Sequence, residues 1–391
     1  MSQCVRKFAS ATCTWSNLDM ELKHVITNFS GRGGAELMLI RLINGMPKHS
    51  HTVISLMRCS SELKHMVKNK NVVFVELNAS GIISMSLSLF KLSALFKGFR
   101  GPVFAWMYHA CAITFIASFF NKKMTRFFNI RHSLDAFRAE KLSTKIALFL
   151  STFFSYFVDA VIFCSDRSMK QHVKFGFSSK KSVLIPNGYE IVFPCEKRPN
   201  PIPVVGMLGR FHPAKDYKNF FKSVSRVRQN GFDFKVVLGG RNIDTDNKEL
   251  MDIIVQSKFP ASSVSLLGEL SNTKNFYSQV DIFMLSSMTE SFPNVLVEAM
   301  LNKTFVISTD VGDARLIIDN DELIAQPKDS LALASVLQTA LKKTDQERKN
   351  FGEGNRSAAI KKYDIKKAIA AYTNLIVNTS SWPPKDHTWK S

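Results

Sequence analysis

Short apolar runs alternate along this chain with longer stretches whose apolar positions repeat at helical spacing. Runs that are apolar on both sides of the pleat predict buried strands of a parallel sheet, not half-exposed antiparallel ones. The first half predicts strands at His24–Asn28, Thr52–Leu56, Val72–Glu76, Val103–Met107, Phe127–Ile130 and Val158–Phe163, with a short one at Ser182–Ile185. Between Glu190 and Pro203 the pattern breaks into four prolines and several charges, a linker composition. The alternation then resumes at Val204–Leu208, Phe234–Leu238, Val264–Leu266, Ile282–Ser286 and Phe305–Ser308, and ends with a short strand near Leu323–Ala325. Such alternation predicts an α/β fold of two parallel-sheet units with a cleft between the carboxyl ends of their sheets. The uncharged run Ile146–Val158 is too short to span a bilayer and predicts a buried helix; Tyr363–Val377 predicts a closing helix.

These breaks divide the chain into residues 20–192, a linker at 193–203, a second domain at 204–362, and a helix and tail at 363–391. Residues 1–19 lack the apolar core and cleavage site of a secretion signal, and are expected to be a poorly ordered extension.

Composition narrows the class. With 391 residues, 45% of them hydrophobic, the chain is globular and has room for two ordinary domains. Six scattered cysteines, with no Cys-x-x-Cys pair, point to reduced thiols in a cytoplasmic protein, not a disulfide framework or structural zinc. The formal charge of +20 calls for an anionic partner. No zinc-finger, RNA-recognition or helix-turn-helix pattern accompanies it, which disfavours nucleic acid. Phe interleaves with Lys and Arg in Phe90–Arg100 and Phe119–Phe128, a pattern suited to peripheral contact with an anionic membrane.

The most specific stretch is Glu290-Ser-Phe-Pro-Asn-Val-Leu-Val-Glu298. It follows a predicted strand, and Pro293 suits a first helical position because its missing N–H costs nothing there. Glu290 therefore falls in a strand-to-helix loop, where an open α/β sheet places its ligands, and Glu298 about one turn inside the helix. A helix start attracts anions, so the two carboxylates suit hydroxyls, and a polyhydroxylated ligand carrying phosphate fits both facts. Arg210 and Lys215 lie in the glycine-flanked loop after Val204–Leu208 and offer a fork and a point charge to phosphate oxygens. Ser30-Gly-Arg-Gly-Gly-Ala-Glu36 follows the first strand, and Gly33 and Gly34 let backbone approach a phosphate closely. Pro186-Asn187-Gly188 is a turn signal. His109 ends a predicted strand and should face the cleft. Asp244-Thr-Asp246 has the form of a metal-holding pair, but it sits in a polar loop before a helix near Lys248, where Asp246 suits an N-cap.

The chain resembles the retaining family 4 glycosyltransferases of the two-Rossmann-domain, or GT-B, type. The residues carrying the resemblance are Glu290, Ser291, Phe292, Pro293 and Glu298, with Gly-Gly-Ala-Glu at 33–36 and the Arg210/Lys215 spacing. The resemblance implies two Rossmann-like domains facing across a cleft, with a C-terminal helix crossing back to the first. It implies a hexosyltransferase-type enzyme using a UDP- or GDP-linked nucleotide-diphosphate sugar, and an acceptor bound by the first domain. On this pattern His109 lies near the transferred sugar and Arg131-His132-Ser133 on the acceptor side. Gly33, Gly34 and Asn187 border the donor, and Arg210 and Lys215 hold its diphosphate. Leu267 and Leu270 flank the base, Glu290 takes sugar hydroxyls and Glu298 both ribose hydroxyls. Backbone N–H groups of Ser291 to Asn294 serve the sugar and diphosphate. No cofactor or metal is expected. The resemblance is greatest to bacterial O-antigen and capsule enzymes, which implies a saccharide or lipid-linked saccharide acceptor at the inner face of the cytoplasmic membrane. Another nucleotide-sugar enzyme of this fold, an epimerase or phosphorylase, and a non-catalytic basic membrane-associated protein are the rival readings.

Overall fold

The computed structural model describes residues 19–79, 82–135, 137–198 and 200–379. Nearly all of the N-terminal extension, and the tail beyond residue 379, thus lie outside the described residues.

Two parallel sheets carry the chain. The first contains β1 (Glu21–Ile26), β2 (Ser50–Ser55), β3 (Val72–Glu76), β4 (Pro102–Trp106), β5 (Thr125–Ile130), β6 (Ala160–Phe163) and β7 (Ser182–Leu184), in the order β3-β2-β1-β4-β5-β6-β7. The second contains β8 (Val204–Leu208), β9 (Lys235–Gly239), β10 (Val264–Leu266), β11 (Ile282–Leu285), β12 (Phe305–Thr309) and β13 (Ile324–Ala325), in the order β10-β9-β8-β11-β12-β13. Every predicted strand is present, with ends shifted by up to three residues. Burial explains why the runs were legible: β4, β8 and β12 are buried at every position, so none could alternate.

Each sheet reverses its winding once. β1 lies between β2 and β4, and β8 between β9 and β11. A crevice opens at such a switch point, outside the carboxyl ends of the two central strands. The loops after β1 and β4 therefore face the cleft from one side, and those after β8 and β11 from the other.

The chain crosses between domains twice, and the crossings pair. Tyr189 N–H donates to the Tyr363 carbonyl at 2.8 Å, and Ile365 N–H to the Tyr189 carbonyl at 2.9 Å. The last helix, Ile365–Thr379, then packs Ile365, Ala368, Tyr372 and Ile376 into the core of the first domain. The Tyr372 hydroxyl accepts from Asn129 Nδ2 at 2.7 Å.

One predicted helix departs from expectation. The run read as a buried helix at Ile146–Val158 is the helix Leu142–Phe154 and the turn after it. Only Ala147, Leu148 and Ser151 of that helix are buried, whereas Ile146, Phe149 and Phe153 are exposed. Hydrophobicity on every side cannot tell a core helix from one whose outer face is bare. The Phe-rich segments divide likewise. Phe96, Phe127 and Phe128 belong to the core, and Phe90, Phe119 and Phe120 are exposed.

Candidate active site

The loop after β8 is shaped to present Lys215. Asp216 adopts left-handed backbone (φ 51°) and accepts from the Asn219 N–H at 3.1 Å, starting the helix Tyr217–Gln229. The loop after β11 grips it from beside. Ser286 Oγ donates to the Lys215 carbonyl at 2.8 Å, and Met288 N–H to the Ala214 carbonyl at 2.8 Å. Side chains then meet: Lys215 Nζ lies 2.5 Å from Glu290 Oε1, which also accepts from Ser287 Oγ at 2.9 Å. The expected diphosphate cation and the expected sugar carboxylate are thus one ion pair. Arg210 is exposed in the same loop, close enough that its charge, with that of Lys215, adds to burial in lowering the His212 pKa.

Glu298 sits inside the helix Asn294–Leu301, as expected. Tyr277 Oη donates to it at 3.5 Å, and Arg41 of the first domain stands 3.8 Å away. Burial raises its pKa, against the opposing pull of Arg41. Pro293 precedes this helix instead of opening it. The expected set of backbone donors also shrinks. Pro293 has no N–H, and that of Asn294 is occupied by the Phe292 carbonyl at 2.9 Å. The Phe292 ring is buried edge-on against Tyr363 at 5.6 Å, so it shapes the core and not the cleft.

Asn294 acts through its side chain. Its Oδ1 accepts from Asn187 Nδ2 at 2.8 Å and from the Tyr189 hydroxyl, and a Cβ on Gly34 would stand 3.1 Å from its Nδ2. Three expected donor-site residues therefore converge across the cleft. Arg41 spans the same place, stacked on the Tyr189 ring at 4.3 Å and bonded to the Gly188 carbonyl at 3.2 Å. Sequence reasoning passed over Arg41 and Tyr189, although a cation inside the apolar run Leu37–Ile43 was a usable signal. Gly33 caps the helix Gly34–Gly45, and a Cβ there would require the Glu36 carboxylate to shift.

Leu267 and Leu270 do not reach this cluster by any described contact. Leu267 N–H continues the sheet by bonding the Leu238 carbonyl at 2.9 Å, and Leu270 packs against Gly239.

β4 ends at Trp106, one residue before the expected Met107, and His109 lies in the first turn of the helix Met107–Ala117 that follows it. Met107 takes left-handed backbone (φ 71°), a strained conformation of the kind that gathers at functional sites. A cavity of about 300 Å³ opens there, lined among others by Asn28, Glu36, Tyr108, His109, His132 and Glu140. Burial lowers the His109 pKa and raises that of Glu36, so the imidazole is neutral near pH 7. His132 Nε2 lies 3.4 Å from Glu140 Oε1. Thr27 Oγ1, Asn28 Oδ1 and His132 Nδ1 are buried without a hydrogen-bond partner at this cavity. Buried polar atoms left so are costly unless a ligand completes them.

Asp313, in the loop after β12, accepts from the N–H groups of Asp166 (2.9 Å) and Arg167 (3.1 Å), capping a first-domain helix across the cleft. At the Asp-x-Asp sequence, Asn247 caps the helix Lys248–Ser257, not Asp246, and Asp244 accepts from the Asp246 N–H at 3.2 Å.

Two facing Rossmann-like domains with cations, carboxylates and a histidine at their switch points define the GT-B class. Comparison with known proteins makes the resemblance specific: residues 192–358 match the model of the family described as glycosyl transferases group 1. Over 163 residues, 41% of this chain, it is 24% identical to the capsular polysaccharide biosynthesis glycosyltransferase CapM of Staphylococcus aureus, of which 42% is covered. Over 192 residues, 47% of this chain, it is 25% identical to the phosphatidylinositol N-acetylglucosaminyltransferase GPI3 subunit of Saccharomyces cerevisiae, of which 41% is covered. The match thus spans less than half the length of these curated relatives. The fold is similar to Anabaena Alr3699/HepE, solved in complex with UDP, with a TM-score of 0.77, 18% identity and coverage of 92% of this chain and 100% of that one.

Proposed function

We propose that this chain is a retaining glycosyltransferase, moving a sugar from a nucleotide-diphosphate donor to an acceptor hydroxyl. The observation that carries this reading is the Lys215–Glu290 pair at 2.5 Å, held by the loops after β8 and β11 at one switch point. A donor would exchange that pair, the ammonium turning to the diphosphate and the carboxylate to a sugar hydroxyl. The barrier lies in parting a C–O bond while charge builds on the diphosphate. Lys215, Arg210 and the start of the helix at Asn294 stabilise that charge where it develops. Glu298, already facing Arg41 and Tyr277, would take the ribose hydroxyls. Neutral His109 would hydrogen-bond the transferred sugar, and the acceptor would enter the adjoining cavity with its unpartnered polar atoms. A phosphate oxygen of the donor accepts the acceptor's proton on the same face. Two cations in reach of the diphosphate make a divalent metal unnecessary.

The donor nucleotide is UDP or GDP in this reading, and UDP in HepE supports the former. The name of CapM supports a saccharide or lipid-linked saccharide acceptor in bacterial surface polysaccharide assembly. The enzyme would then work in the cytoplasm at the membrane's inner face; among the described residues no helix is long and apolar enough to cross a membrane. Calorimetric titration with UDP and GDP tests the donor site. Arg210→Ala and Lys215→Ala should each lower turnover about 10²–10³-fold with the fold intact, whereas a chelator should leave it unchanged. Near-normal turnover in both variants would refute the leaving-group assignment, and loss restored by manganese would refute metal independence.

A further inference from the structure

We infer that the outer face of the helix Leu142–Phe154, with the Phe119–Phe120 turn beside it, docks this chain onto an anionic bilayer. The inference deepens the membrane part of the proposed function and moves it to an element the sequence placed in the core.

Leu142, Ile146, Phe149, Leu150 and Phe153 fall at spacings of three and four, one face of the helix, and all five are exposed. The opposite face buries Ala147, Leu148 and Ser151. Four exposed rings, Phe119, Phe120, Phe153 and Phe157, are joined in one web through the buried Phe115 and half-buried Phe154, while Phe149 meets Phe137 and Phe175. Phe115 stacks on Phe154 at 4.2 Å and reaches Phe119 and Phe157, each at 6.2 Å. Phe153 lies 5.4 Å from Phe157, and Phe119 lies edge-on to Phe120, which is 95% exposed. A continuous apolar patch of this kind marks an interaction surface.

Charge selects the occupant. Residues 77–158 contain ten Lys and Arg against two acids, Asp135 and Glu140. Both acids turn elsewhere: Asp135 bonds Gln171 and Thr289, and Glu140 lines the cavity. Exposed Lys122, Lys123 and Lys141 are left beside the aromatic web. A second copy docked symmetrically on this face would set these cations against their own kind. An anionic bilayer satisfies both halves, taking the rings below the headgroups and the ammonium groups at the phosphates. The helix also begins at the cavity, which Thr144 and Glu140 line. Docking would therefore hold that cavity near headgroup level, where the polar head of a lipid-linked acceptor lies.

Flotation of the full chain with vesicles tests this. The chain should float with phosphatidylcholine/phosphatidylglycerol vesicles, less at high salt, and poorly with phosphatidylcholine alone. Phe149→Ser with Phe153→Ser should lower partition at least about tenfold at unchanged melting temperature, and Lys122→Gln with Lys123→Gln should weaken only the salt-sensitive part. UDP affinity on the same preparations reports the donor site separately, so its loss would count against the transfer reading alone. A chain that stays unbound with both vesicle types, or a double Phe variant that floats like the parent, overturns the inference. So does a dimer that dissociates in the double variant while vesicles capture nothing.

Discussion

Removing either partner of the Lys215–Glu290 pair should weaken the fold by more than a surface ion pair would. The two side chains retain only 17% and 18% of their exposure, and their backbones are tied by Ser286 and Met288. Two unit charges about 4 Å apart at an effective dielectric near 20 attract by about 4 kcal/mol before desolvation is subtracted. Exposed pairs keep only about 0.2–1 kcal/mol of such attraction, and coupled neighbours in packed surroundings up to about 3. A coupling of about 1–3 kcal/mol is therefore expected here, between those limits. The assay is a double-mutant cycle: urea unfolding of the parent, Lys215→Ala, Glu290→Ala and the double variant. Turnover should follow the same logic. Each single change should cost about 10²–10³, and the double little more than the worse single, because groups acting as a unit are not additive. A coupling below about 0.3 kcal/mol, with turnover losses that simply multiply, would refute the idea that these residues work as one switch between empty and occupied states.

Other expectations follow from the same geometry. Glu298→Gln should weaken UDP binding about tenfold or more while leaving the maximal rate nearly unchanged; equal affinity in titration would remove its ribose role. Asp313→Ala should destabilise by about 1–2 kcal/mol in urea unfolding, since two helix N–H groups lose a shared acceptor, whereas Asp313→Asn should recover part of the loss. Indistinguishable midpoints would mean the cross-domain cap contributes nothing. Burial lowers the pKa of His51 from 6.5 to about 4, beside His24, which burial also lowers and whose Nε2 lies 3.1 Å from His51 Nδ1. A depressed folded-state pKa means the unfolded chain binds protons first, so stability present above pH 6.5 is lost as pH falls toward 4. His51 alone accounts for roughly 3 kcal/mol of that loss at about 1.4 per unit, and His51→Gln should flatten the profile measured by unfolding between these pH values.

How much was legible depends on whether a feature is local. Strands such as Val204–Leu208 and Phe305–Thr309 were visible because a buried parallel strand must be an apolar run, whatever surrounds it. Glu290 and Glu298 were visible because a strand, a loop and a helix start dictate their places from within a single stretch. The helix Leu142–Phe154 was misplaced because its composition suits a core and a lipid-facing surface equally. Asp313 was passed over because its partners, the N–H groups of Asp166 and Arg167, belong to the other domain.

From its residues alone the chain determined an α/β alternation, a break between two repeats, and which side chains are candidates for phosphate and hydroxyl chemistry. Only tertiary structure decided the strand order, and with it that the loops after β8 and β11 share one crevice. Strand order rests on pairing between segments far apart in the chain, which no local pattern records. The same long-range packing joined Lys215 to Glu290, brought Arg41 to Glu298 and left one apolar helix face bare.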